Sequence, residues 1–179
     1  MRIPLPQIFV SHSRYDLDIR NSFEKIFAGT GVKPVWYEFE QKSSPDWNEI
    51  RNSIHDSEAV FLLLGPKIMK SEYTKSWIAF EVGLSCAFGK HVWVFEQMYS
   101  HVDFPIPYVT DYLLYRLQDS VHVDYVTMII EAYGERAKSL ISNVEIPRGL
   151  LVQCSYCHIE YSVHQTFGTH CCPSCRKPN

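Results

Sequence analysis

The chain has 179 residues, enough for one domain or one domain with a small appendage. Hydrophobic residues make up 46% and charged residues 21%, the balance of a soluble globular protein. A formal net charge of −3 argues against a general nucleic-acid binder or a polybasic membrane-surface protein.

The longest apolar run, Ala59 to Leu64, is far too short for a bilayer span, and Met1-Arg2-Ile3-Pro4 does not open a secretory signal. A cytoplasmic protein without a membrane partner is expected.

In chain order, Gln7 to Ser11 reads as a first strand. Ser13 follows as a candidate N-cap, and Ile19, Phe23, Ile26 and Phe27 form one apolar helical face. Gly29-Thr30-Gly31 ends that helix, and Val32 to Tyr37 makes a second strand. A polar loop from Glu38 to Asp46 leads to a helix opened by Trp47, Ile50 and Ile54. Ala59 to Leu64 is continuous enough for a central strand covered on both faces, and Gly65-Pro66 breaks it. A third helix is expected from about Tyr73 to Phe88, a fourth strand at His91 to Phe95, a fifth at Leu113 to Leu117, and a last helix from Val123 to Leu140. This alternation with short connections predicts a doubly wound parallel α/β sheet of about five strands, of the flavodoxin-like kind. The expected domain spans residues 1–141, followed by a linker at 142–149 and a small module at 150–179.

That module is marked by its cysteines. Cys86 stands alone, while Cys154, Cys157, Cys171, Cys172 and Cys175 crowd the last 26 residues, a stretch too short to build its own apolar core. Cys154 and Cys157 form one Cys-x-x-Cys knuckle and Cys172 and Cys175 another, with fourteen residues between them. Two such knuckles suit a tetrahedral zinc site of the zinc-ribbon kind, in which the metal replaces a core. Replacing Cys172 by Cys171 or His170 would lose the two-residue gap, and a redox Cys-x-x-Cys would need a βαβ context. Tyr156, Tyr161, Val163 and Phe167 are expected to cluster around the metal, with His158 and His164 at the surface. Two cations against one carboxylate leave the module at +1, and four thiolates with one zinc ion add −2. This is a poor phosphate binder, so a structural brace or protein-contact module is expected.

The third helix is apolar almost all round, which predicts packing on most sides. Glu81 is its only charged residue between Lys75 and Lys90, with Trp77 one turn before it on the same face. Gly83 suggests a close backbone approach. Glu81 is either a solvated residue on a narrow polar stripe or a carboxylate lining a cleft with an aromatic wall, and the second would mark a functional site.

Ile8-Phe9-Val10-Ser11-His12-Ser13, Trp36-Tyr37-Glu38, Asp56-Ser57-Glu58-Ala59-Val60 and Trp77-Ile78-Ala79-Phe80-Glu81, in this order and spacing, resemble a Toll/interleukin-1 receptor (TIR) domain over residues 7–140. The sequence departs from the usual pattern at Lys42-Ser43-Ser44-Pro45-Asp46, which lacks the Pro-Gly turn, and at Ser-His-Ser in place of Ser-Tyr-Ser. The resemblance implies cleavage of the nicotinamide–ribose bond of NAD, with Glu81 as the catalytic residue. It also implies self-association through TIR–TIR contacts, with the Glu38 to Trp47 loop as a contributor, and a role in antiviral or immune signalling. Ser11, His12, Ser13, Trp36, Tyr37, Trp47 and Trp77 are the candidate substrate-binding residues; the first three lie at a strand's carboxyl end, where such sheets bind ligands.

One carboxylate is enough for this chemistry. Glycosidases use a second one to protonate the leaving group, but nicotinamide leaves a pyridinium as a neutral molecule. The remaining carboxylate stabilises positive charge developing at the anomeric carbon. Water as acceptor gives ADP-ribose; an adenine nitrogen gives a cyclic product. A non-catalytic TIR interaction module and a nucleoside deoxyribosyltransferase-like enzyme are the alternatives.

Overall fold

The computed structural model describes residues 5–37, 46–116, 118–138, 144–164 and 171–178. Its elements are β1 (Gln7–His12), α1 (Leu17–Phe27), β2 (Lys33–Trp36), α2 (Trp47–His55), β3 (Ala59–Leu64), a 3₁₀ helix (Pro66–Lys70), α3 (Glu72–Ala87), β4 (His91–Gln97), β5 (Asp111–Tyr115), α4 (Ser120–Lys138), β6 (Leu150–Gln153) and β7 (Glu160–His164). They form one seven-stranded sheet in the order β2-β1-β3-β4-β5-β7-β6. Every neighbouring pair is parallel except β6 with β7. The fold is a doubly wound α/β sheet, and the five expected strands are its first five.

Strand periodicity divides the core. Along β3, Val60, Leu62 and Leu64 join Ile50 and Ile54 of α2 and Ile78 and Val82 of α3. Ala59, Phe61 and Leu63 point the other way, into a cluster with Phe23 of α1 and Ile129 and Ile130 of α4. All six residues of β3 are buried, which is why the run carries no polar alternation.

Local chemistry sets several boundaries. Asp46 caps α2 by accepting from the N–H groups of Asn48 and Glu49, and Ser71 caps α3 by accepting from Thr74. The N-cap of α1 is Asp16 rather than Ser13, which sits three residues earlier in a turn that its carbonyl closes with the Asp16 N–H. β5 starts two residues before the expected strand because Asp111 and Tyr112 already pair with Trp93 and Val94. Leu117, Ser139 and Leu140 lie outside the described residues.

α3 departs from its expected all-round packing. Tyr73 and Phe80 are exposed, and a Cβ at Gly83 would meet nothing within 4 Å, so that glycine serves no close approach.

The tail extends the sheet. β7 pairs with β5, and Ile106 N–H donates to the Pro173 carbonyl at 3.0 Å. The connection between β4 and β5 contains no helix. Its Val102, Phe104, Ile106 and Val109 join the α2–α3 face of the core, in one apolar cluster with Cys154, Tyr161, Val163 and Cys172. Tyr161 and Val163 are buried as expected; Tyr156 is exposed, and Phe167 lies outside the described residues. Among the described residues no helix is long and apolar enough to cross a membrane.

Candidate functional site

Two centres concentrate the ionisable groups singled out in the sequence. The first joins β1 to α3. Ser11, the penultimate residue of β1, shares the face of Phe9 and donates from Oγ to Glu81 Oε2 at 2.5 Å. Glu81 is 4% exposed and Ser11 1%, so this carboxylate sits in a dry layer between helix and sheet. Loss of solvation pushes the Glu81 carboxyl up to about 8, and the Ser11 hydroxyl offsets only part of that rise. One turn on, Ser85 Oγ donates to the Glu81 carbonyl at 2.6 Å. The solvated-stripe reading of Glu81 is excluded by its burial.

Strand alternation splits the remaining candidates. Tyr37 and Trp77 pack against the cluster on the Glu81 face. Trp47 is exposed but its ring lies 4.9 Å from that of Trp77; Phe80 and Tyr73 complete an aromatic group, 5.6 and 5.7 Å from Trp77. His12 and Trp36 turn to the opposite, α1 side, edge to face at 5.2 Å, and Phe27 packs on the same indole. Burial pulls the His12 imidazole down to about 4, helped by the nearby Arg20 guanidinium. Ser13 is fully buried and accepts from the Tyr15 N–H. The structure therefore unites Ser11 with Glu81 and places His12 and Trp36 on the other face. Most of the Glu38 to Trp47 loop lies outside the described residues.

Asp16 was not singled out by sequence. It is buried at the same strand ends, accepts from the Lys67 N–H at 3.3 Å, and is held above the usual carboxylate range by burial. A Cβ on Gly65 would lie 2.3 Å from its carboxyl carbon, so a larger residue there would displace the Asp16 carboxylate.

The second centre is the cysteine cluster. The ligand atoms of Cys154, Cys157, Cys172 and Cys175 all lie within 4.8 Å of one another, with Sγ–Sγ distances of 3.6 Å for Cys154–Cys175 and 3.7 Å for Cys157–Cys172. A disulfide needs about 2.05 Å. A tetrahedron with metal–sulfur bonds of about 2.3 Å has edges of roughly 3.8 Å, which these two distances match.

The two knuckles repeat one backbone design. Cys154 N–H donates to Ile159 O and His158 N–H to Cys154 O; Cys172 N–H donates to Lys177 O and Arg176 N–H to Cys172 O. His158 and Arg176 both take left-handed backbone, with φ of 59° and 61°. Burial pushes the Cys154 thiol up, but donation from the Cys157 and Tyr156 N–H groups and from neighbouring thiols outweighs it and leaves it at about 6. Cys171 is outside the cluster.

Arg176 also reaches the sheet. Its guanidinium meets Glu96 Oε1 at 2.5 Å and His101 Nδ1 at 3.1 Å, while Tyr112 Oη donates to Glu96 Oε2 and the Val102 N–H to Oε1. A sequence reading has no access to this pair, because its members are 80 positions apart. His164 is likewise not at the surface: it is 2% exposed and bonded to Asp111 and Tyr125. His158 is exposed, as expected.

No family model matches the chain, and no curated protein matches it. Among solved structures it is similar to the TIR domains in the structure of the activated Roq1 resistosome directly recognizing the pathogen effector XopQ. The match has 12% sequence identity and a TM-score of 0.41, and covers 52% of this chain and 58% of that one.

Proposed function

We propose that the chain is an NAD-cleaving enzyme of the TIR type, breaking the nicotinamide–ribose bond to give nicotinamide with ADP-ribose or a cyclic ADP-ribose-type product. The observation that carries this reading is the Glu81 carboxylate, sequestered from water and aligned by Ser11 at the carboxyl end of a central parallel strand. The spacing of Trp77 and Glu81, which resembles the motif of enzymatic TIR domains, supports it.

In this mechanism the ribose hydroxyls take the place of Ser11 on Glu81. The ionised carboxylate then stabilises cationic character at the anomeric carbon as neutral nicotinamide departs. Trp77, with Trp47 beside it, offers an aromatic wall to the planar ring. A role in antiviral or immune signalling is part of the same reading.

The cysteine cluster is proposed to hold one zinc ion. Four thiolates close a tetrahedral shell and leave no position for water, so the metal braces the fold and takes no part in the reaction.

A second reading is favoured by the closed Ser11–Glu81 bond: a non-catalytic interaction module in which this pair only fastens α3 to β1. Incubating the pure chain with NAD, with products identified by chromatography and mass, separates the two. Cleavage abolished in a folded Glu81→Gln variant supports the enzyme. Undiminished turnover in that variant removes Glu81 from the mechanism, and a wild type that leaves NAD intact supports the module.

A further inference from the structure

A cleft of about 830 Å³ lies at the other end of the strands, where β4 and β5 begin, whereas Ser11 lies near the carboxyl end of β1. Its wall includes His91 and Asp111 from the strand starts, Arg136 near the end of α4, Arg148, and Ser162 of β7. We infer that this cleft binds a phosphorylated sugar of the ribose phosphate class.

The floor is a preorganised carboxylate. Asp111 is 7% exposed, and its Oδ1 accepts from His164 Nε2 at 2.9 Å. His164 Nδ1 lies 2.7 Å from Tyr125 Oη, and its ring rests 4.6 Å from that of Trp93. With Nε2–H given to the carboxylate, Nδ1 accepts from the Tyr125 hydroxyl, which fixes the imidazole tautomer and the carboxylate plane together. Fastening β7 to β5 uses only Oδ1. The other oxygen, Oδ2, is 3.7 Å from Nδ1 of the half-exposed His91, beyond good hydrogen-bond distance. A sugar hydroxyl fits between them, because it donates to a carboxylate and accepts from an N–H.

The rim supplies the charge. Arg136 and Arg148 line the cleft with the exposed Glu145 and with Asp111, so the two guanidinium groups offset two carboxylates. Neither arginine forms an ion pair with a carboxylate among the described residues, which leaves both forks available to a phosphate. Guanidinium forks match phosphate oxygens in geometry as well as charge. The wall carrying Arg148 is pressed onto β7: a Cβ at Gly149 would lie 2.3 Å from the Val163 carbonyl oxygen and 2.8 Å from His164 Cδ2. The cleft is far larger than a bare phosphate, and its mixture of hydroxyl, imidazole, carboxylate and guanidinium groups favours a ligand dense in hydroxyls over an apolar one.

This inference is independent of the Glu81 reading, and its test is run in the Glu81→Gln background so that the two fail separately. Calorimetric titration of the full chain with ribose 5-phosphate and with inorganic phosphate is the experiment. Saturable one-site binding of ribose 5-phosphate, about tenfold tighter than phosphate, is expected. It should weaken by at least about tenfold in Arg136→Ala/Arg148→Ala, the scale of losing a charge-assisted contact. Both arginines are exposed, so the variant keeps its fold, and His91→Ala should weaken the sugar but not the phosphate. No saturable binding, equal affinity for phosphate, or binding untouched by the double substitution would overturn the proposal.

Discussion

The Glu81 centre and the cysteine cluster both hold ionisable groups away from water, but they are built in opposite ways. Ser11 and Glu81 come from elements 70 positions apart and meet only because the apolar faces of β1 and α3 pack. The four cysteines come from two short knuckles whose turns are closed by their own backbone hydrogen bonds. The first centre exists because the core is folded. The second gathers four sulfurs within 4.8 Å of one another, a spacing that suits a metal ion. Long-range packing shifts a carboxyl by stripping its water, whereas local turns alone bring the thiols of each knuckle together.

The sharpest way to break this contrast is to remove the metal. Zinc supplies roughly 10–16 kcal/mol of folding free energy in zinc-finger peptides, more than a whole domain's usual net stability of about 5–15 kcal/mol. Chelation, or Cys172→Ala, should therefore unfold the β6–β7 hairpin and the knuckles. Hydrogen exchange should show the damage spreading into residues 102–109, because Cys154 and Cys172 share their apolar cluster. Protection should survive in β1, β3 and the α1–α4 face. Stoichiometric zinc retained after Cys172→Ala but lost after Cys171→Ala would overturn the ligand set.

Next in size is the tie between the two regions. Arg176 is 8% exposed and Glu96 fully buried, so Arg176→Ala strands a carboxylate that has lost its cation. Breaking one side of a buried pair costs about 3–5 kcal/mol. Replacing Arg176 and Glu96 together by Met and Gln should cost markedly less, and urea midpoints would show it. Equal losses for the single and double variants would mean that the pair holds nothing in place.

Much of this was legible in sequence, for a physical reason in each case. The all-apolar run of β3 is continuous enough for a strand covered on both faces. The isolated glutamate on an apolar helix admits two readings, solvated stripe or cleft, between which only burial decides. The paired cysteine gaps set the second centre. The parallel pairing of β7 with β5 was not legible: it depends on a connection that carries its own covering surface, and no local pattern encodes that. His164, expected at the surface rather than as a metal ligand, is buried instead. Its partners, Asp111 and Tyr125, come from elements distant in the chain. The split of His12 and Trp36 from Ser11 follows from the two-residue period once β1 is known to end at His12.

A smaller effect tests the electrostatics of the first centre. Glu81 titrates at about 8 in the fold against an ordinary 4.5, so between those values the native state keeps a proton that the unfolded chain gives up. Stability must then fall as pH rises through that window, by up to about 1.4 kcal/mol per pH unit. Glu81→Gln keeps the volume and an acceptor for Ser11 but cannot ionise. Its urea midpoint should match the wild type near pH 5 and exceed it at pH 8. In the proposed reaction the ionised form is the active one, so wild-type kcat/KM should rise with pH up to about 8. A gap that does not change between pH 5 and 8 would mean that Glu81 is not desolvated.

The smallest change in stability, and the most diagnostic for assembly, belongs to Trp47. Its ring is 54% exposed and rests on Trp77 and Phe80, contacts worth about 0.5–1.5 kcal/mol, so Trp47→Ala should lower the urea midpoint only slightly. Self-association expected from the TIR resemblance would use such an exposed aromatic group at the end of the contributing loop, since aromatic anchors dominate interface energies. Specific activity should then climb with protein concentration in the wild type and stay low and flat in Trp47→Ala. If Trp47 instead touches only substrate, KM rises at every concentration and the concentration dependence is unchanged. Flat wild-type activity over a hundredfold dilution would remove self-association from the mechanism and leave the Glu81 centre complete within one chain.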